Sequence, residues 1–129
     1  MTGQLPSWRI EAVPQEPMAL WAKLLRDANP IHVDPAAAEA LGFGPRTVNP
    51  GPINLAYALN MVMAARPGNH PREIHARFSN NILSGDAVEV SGVADFAEPD
   101  RCCARVRVPE RGATAMDVEV RLVAREDFR

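Results

Sequence analysis

The sequence predicts an α+β fold in which an antiparallel sheet curls around one buried helix, and three observations lead there. The second half of the chain, residues 74–123, carries four short stretches of alternating apolar and polar residues separated by turn signals. Residues 52–65 read as a helix with apolar side chains most of the way round and few charges, the pattern of a buried helix. At 129 residues the chain fits a single domain, 1–129, that buries about two-thirds of its unfolded surface. A sheet with one apolar face and a helix that needs cover satisfy each other when the sheet wraps the helix.

The elements follow in chain order. Residues 8–13 alternate and predict a first strand, ended by Pro14. Residues 17–26 place Met18, Leu20, Trp21, Leu24 and Leu25 at helical spacing, with Pro17 suited to the first helical position. Residues 35–41 are alanine-rich, start after a capping Asp34 and stop at Gly42, which predicts a second short helix. Gly51 and Pro52 signal the start of the apolar helix, and Arg66, Pro67 and Gly68 its end. Strands are then expected over 74–83, 87–96, 102–108 and 115–123, with turns at 84–86, 98–100 and 110–112. Val118, Val120 and Leu122 against Asp117, Glu119 and Arg121 give the clearest division into a buried and a wetted face.

Chemistry concentrates between the two short helices. Asp27 and His32 lie five residues apart, and Asn29-Pro30 between them rules out a continuous helix, because proline pushes the preceding residue out of the α region and fixes its own φ. A sharp bend then presents a carboxylate and an imidazole to one space. An acid and a base so held suit the addition of water to a double bond, or its removal. On spacing alone, the plainer reading is that Asp27 is a turn or capping residue and His32 an ordinary surface or core histidine.

The run Asp27, Asn29, Pro30, His32, Asp34, Ala38, Gly42, Phe43 resembles the signature of the MaoC-like, (R)-specific enoyl-CoA hydratases, and every fixed residue of that pattern is present. Residues 77–88, with Gly85-Asp86 at their turn, resemble the strand, turn and strand that follow in the family and in other hot dog proteins, thioesterases included. The likeness spans roughly three-quarters of the chain. It implies a hot dog fold whose short flanking helices carry the hydratase motif, and a hydro-lyase of fatty acid metabolism acting reversibly on trans-2-enoyl-CoA or 3-hydroxyacyl-CoA. Coenzyme A is then part of the substrate, and no separate cofactor is implied. By matching position, His32 acts as general base on a water molecule shared with Asp27, and Asp27 orients that water and helps deliver a proton to the α carbon.

Such a reaction needs a donor for the thioester oxygen, and the free N–H groups at the start of the apolar helix qualify. Gly51 is the candidate. Many relatives carry His-Gly and an apolar residue there, whereas this chain reads Val48-Asn49-Pro50-Gly51-Pro52, so the two prolines leave only Gly51 and Asn49 as backbone donors. Gly51 and Pro52 equally suit a tight helix entry. Asn29, Asn49, Asn54 and Tyr57 are candidate substrate contacts, with Asn54 and Asn60 conspicuous as amides on an apolar helix. Arg46, Arg66, Arg72 and Arg77 are available to phosphates, although salt-bridged or solvated roles are the commoner fate of such residues.

Composition narrows the partners. Fourteen basic and 16 acidic residues, net −2, are spread along the chain and form no stripe for nucleic acid or an anionic bilayer. No apolar run approaches a membrane span, the first eight residues lack the pattern of a secretory signal, and a cytoplasmic location is expected. Cys102 and Cys103 are adjacent in an extended stretch, suited to packing and poorly placed to bond each other. The three histidines lack metal-ligand spacing, so no metal is expected. A curled sheet leaves open edges, so a homodimer or higher assembly is expected, and pairing with a different hot dog subunit is the alternative. Two other functions fit the fold: an acyl-CoA thioesterase, disfavoured because residues 52–65 contain no Asp or Glu, and a non-catalytic acyl-CoA-binding subunit.

Overall fold

The computed structural model describes residues 2–127. Its strands are β1 (Thr2–Gln4), β2 (Trp8–Ile10), β3 (Asn69–Phe78), β4 (Val88–Asp95), β5 (Arg101–Val108) and β6 (Ala113–Ala124), and its helices are α1 (Glu16–Leu24), α2 (Pro35–Ala40) and α3 (Gly51–Ala65). All strand pairs are antiparallel, in the order β1-β4-β5-β6-β3, and β2 adds a second short pairing to β4 on the β1 side. The sheet curls around α3, which makes this an α+β hot dog architecture. Among the described residues no helix is long and apolar enough to cross a membrane.

Period-two alternation fixes which way each strand faces. Cys102, Ala104, Val106 and Val108 of β5 and Met116, Val118, Val120 and Leu122 of β6 are buried, while Arg101, Cys103, Arg105 and Asp117, Glu119, Arg121 occupy the other face. Cys102 is therefore a core residue, its thiol pKa pushed up by burial, and Cys103 lies on the outer side; both are free thiols. α3 buries Asn54, Ala58, Met61 and Val62, one helical stripe. Gly92 and Ala94 of β4 and Ala104 of β5 are the small residues beneath it. A Cβ on Gly92 would lie 2.8 Å from Met61 Cε and 3.0 Å from the Cys103 carbonyl oxygen. Gly92→Ala is accordingly expected to destabilise the fold by about 1–3 kcal/mol through overpacking, read from the midpoint of urea unfolding.

Four expectations need correction. The strand expected at 74–83 runs instead from Asn69 to Phe78, because Pro71 is accommodated on an edge strand at a bulge between Pro71 and Glu73. Beyond Phe78 the chain leaves the sheet, and Leu83 returns only as an isolated bridge to Val48. The first strand stops at Ile10 rather than Val13, and β1 precedes it, a three-residue strand too short to show alternation. α3 is not enclosed within one chain: Ile53, Leu55, Tyr57, Leu59 and Met63 are half-buried and Asn60 is exposed. α1 buries Met18 and Ala22, leaving Leu20 and Leu24 in solvent.

Candidate active site

Three short polar side chains in succession shape the bend. α1 ends with Arg26 at a left-handed φ of 54°, and the Asp27 N–H reaches back to the Ala22 carbonyl at 2.9 Å. Asp27 Oδ1 accepts from the Asn29 N–H at 3.0 Å, Asn29 Oδ1 from the Ile31 N–H at 3.2 Å, and Asp34 Oδ1 from the Ala36 N–H at 3.0 Å. Each takes the donor two residues ahead, a local bond with which Asp and Asn compete against helix. Asn29 thus caps the one-turn 3-10 helix Pro30–His32, on the exposed side of the loop, and Asp34 caps α2 as expected.

The bend turns His32 inward and Asp27 onto it. His32 Nε2 lies 2.9 Å from Asp27 Oδ2, with 8% of the imidazole and 37% of the carboxylate side chain exposed. The other ring nitrogen, Nδ1, lies 2.7 Å from the Val48 carbonyl oxygen. A carbonyl only accepts, so Nδ1 carries hydrogen and donates. Neutral imidazole would then turn a bare Nε2 toward a carboxylate oxygen, two acceptors face to face. For the contact to be a hydrogen bond, one proton must sit on Nε2 or on Oδ2. The two groups meet directly.

Val48 is held for this role from both sides. Its N–H donates to the Ile31 carbonyl at 2.8 Å, the Asn49 N–H donates to Ile82 at 2.8 Å, and the Ser84 N–H to Thr47 at 2.8 Å. Behind that strand-like crossing, the buried Asp86 carboxylate, 2% exposed, bonds Arg46, Arg111 and the Leu83 N–H. Of the arginines available to phosphates, Arg46 is thereby committed to an ion pair. Neither the Val48 carbonyl nor the Asp86 cluster stands out in the sequence; one is main chain, and the other joins residues 40 and 25 positions apart.

Asp27 is more acidic than an ordinary aspartate. The Asn29 N–H is the largest cause, desolvation opposes it, and the charge and hydrogen bond of His32 lower it further. A carboxyl whose pKa is depressed in the fold stabilises it above the ordinary value of 3.8, and that stabilisation is lost as the pH falls through the lower folded value. Compared by acid unfolding, the stability advantage of the wild type over Asp27→Asn is expected to shrink as the pH drops below 3.8.

The remaining candidates separate into two groups. Asn49, Asn54 and Tyr57 form one network: Asn49 Nδ2 donates to Asn54 Oδ1 at 2.7 Å and to the Tyr57 hydroxyl at 3.3 Å, while Asn49 Oδ1 is buried without a partner among the described residues. Burial pushes the Tyr57 phenol pKa up against the pull of Asn49. Asn49 cannot offer its N–H to a substrate, because that group is spent on Ile82. Ile53 and Asn54 spend theirs on the Pro50 carbonyl. Gly51 N–H alone at this helix entry has no acceptor among the described residues, and the Phe78 ring stands 3.3 Å from where a Gly51 Cβ would be. Five surface cavities of about 300–400 Å³ are lined by other residues, and neither Asp27 nor His32 borders any of these five. No group of three or more His, Cys, Asp or Glu among the described residues is placed to hold a metal ion.

Residues 5–100 match the model of the MaoC-like domain family. The chain belongs to that family. Among solved structures, the unliganded R-hydratase PhaJ1 from Pseudomonas aeruginosa is 20% identical over 96% of this chain and 88% of that one, with a TM-score of 0.79. The (R)-hydratase of A. caviae involved in PHA biosynthesis is 21% identical over 95% and 96%, with a TM-score of 0.74. The ChsH1-ChsH2 complex from Mycobacterium tuberculosis is 18% identical over 95% and 96%, with a TM-score of 0.78. At such identities these likenesses speak for the fold. No curated protein matches the sequence.

Proposed function

We propose that this chain is a hydro-lyase that adds water to a trans-2-enoyl-CoA, or removes it from a 3-hydroxyacyl-CoA, with Asp27 and His32 as its acid–base pair. The observation that carries the reading is the His32 ring, pinned at Nδ1 by a main-chain oxygen and in contact at Nε2 with an acidic carboxylate. A family with hydratases and dehydratases among its structural neighbours supports it.

The pair holds one proton before and after turnover. Shifting it across the 2.9 Å contact to Oδ2 frees the Nε2 lone pair. Nε2 then takes a proton from water as the water oxygen bonds Cβ, and the Cα=Cβ electrons move to the thioester oxygen. Collapse of that enolate takes the proton from Oδ2 to Cα, and the proton on Nε2 remains for the next cycle. Gly51 N–H is the available donor for the thioester oxygen, a role in which one donor contributes about 3 kcal/mol. Its solitude at the helix entry is also what favours a second reading, an acyl-CoA-binding subunit without catalysis.

Purified protein and a short trans-2-enoyl-CoA separate the possibilities. Loss of the conjugated enoyl absorbance without free thiol is the expected result. Release of free thiol would make the protein a thioesterase, and binding without either change would make it a binding subunit.

A further inference from the structure

An aromatic ring stands over the start of α3. Phe78, the last residue of β3, lies opposite buried Met116 of β6, which puts its side chain on the helix side of the sheet, yet the residue is 55% exposed. The three heavy atoms nearest to the Cβ position of Gly51 all belong to its ring: Cε1 at 3.3 Å, Cδ1 at 3.7 Å and Cζ at 4.0 Å. Gly51 is not among the glycines of positive φ, so its backbone conformation is open to other residues. A side chain there would meet the ring. The strand beneath the ring is fixed, because Phe78 pairs with Met116 and the Ser79 N–H donates to the Ala115 carbonyl at 2.8 Å.

A ring with more than half of its residue in water forgoes much of what burial would contribute to stability. Its position bears instead on what Gly51 can bind. A thioester oxygen accepting from the Gly51 N–H would lie about 2.9 Å from that nitrogen. The carbon that bears this oxygen is bonded to Cα of the acyl group, so Cα and any substituent on it lie close to residue 51. From the thioester, sulfur leads away to the coenzyme, and Cβ must reach Asp27 and His32. A branch on Cα is the one group with no other place assigned, and the bulk beside Gly51 is the Phe78 ring.

Granting the hydro-lyase reading, we propose that Phe78 is a specificity-determining residue, whose ring fills the space beside the bound thioester and selects enoyl thioesters with an unbranched α carbon. The two substrate classes differ by one methyl group, which an apolar wall converts into a preference of about tenfold or more.

The test compares trans-2-butenoyl-CoA with trans-2-methyl-2-butenoyl-CoA as the ratio of their kcat/KM values in each protein, so that the lower intrinsic reactivity of the branched alkene cancels between proteins. Phe78→Ala is expected to shift this ratio toward the branched substrate by about tenfold or more, and Phe78→Leu by less in the same direction. A circular dichroism melt accompanies each variant, and if Phe78→Ala does not fold, the shift in Phe78→Leu decides. Hydration of the straight substrate with a ratio that the folded variant leaves unchanged would overturn the role of Phe78 while the hydro-lyase reading stands. If neither substrate is hydrated, that reading falls, and calorimetric titration with butanoyl-CoA and 2-methylbutanoyl-CoA replaces the assay. The ratio of their affinities is then expected to shift in the same sense, and an unchanged ratio, or no binding of either, would overturn the proposal.

Discussion

Asp27→Asn is expected to lower kcat by about 100-fold or more with trans-2-enoyl-CoA, and kcat/KM by a similar factor, because the group acts on protons in flight and not on ground-state binding. Asparagine preserves the outline of the side chain and can still accept from the Asn29 N–H, so the bend should survive. It cannot store a proton for Cα. The variant therefore tests the contact with His32 more cleanly than His32→Ala, which also strips the Val48 carbonyl of its donor and opens a hole in a buried position. Steady-state kinetics alongside a circular dichroism melt would separate the two effects. Normal turnover in a folded Asp27→Asn protein would remove the pair from the mechanism.

The largest effect on stability is expected at Asp86. Its carboxylate accepts from Arg46, from Arg111 at 2.7 and 2.8 Å, and from the Leu83 N–H at 2.7 Å. Removing one member of a buried ionic cluster leaves the others uncompensated, a loss of roughly 3–5 kcal/mol. Both guanidinium groups are more than a third exposed and can regain water, which places Asp86→Ala near the lower figure, about 3 kcal/mol. Urea unfolding measures it, and a change under 1 kcal/mol would contradict the assignment. Activity should fall as well if the clamp on residues 47–49 transmits to His32, so activity per folded molecule is the useful second readout.

What could be read in advance divides along physical lines. Val118, Val120 and Leu122 announce a half-buried strand because period-two burial is local, and residues 52–65 announce a helix for the corresponding reason at period 3.6. Asp27 and His32 were legible through the break that Asn29-Pro30 imposes between them. Long-range facts were not. Pro71 reads as a strand breaker until β6 supplies only one side of hydrogen bonding. The half-buried flank of α3 cannot be told from an enclosed one by composition. Whether the Asn49 N–H is free depends on Ile82, 33 residues away, and only the folded arrangement decides it.

The acceptor that fixes the His32 ring has a consequence for how this site tolerates variation. Because it is the oxygen of a peptide unit, changing the side chain at position 48 leaves it in place, and only a displaced backbone removes it. The protonation pattern of the imidazole is thus inherited through chain geometry, and comparison of amino-acid identities at that position carries no information about whether a relative keeps it.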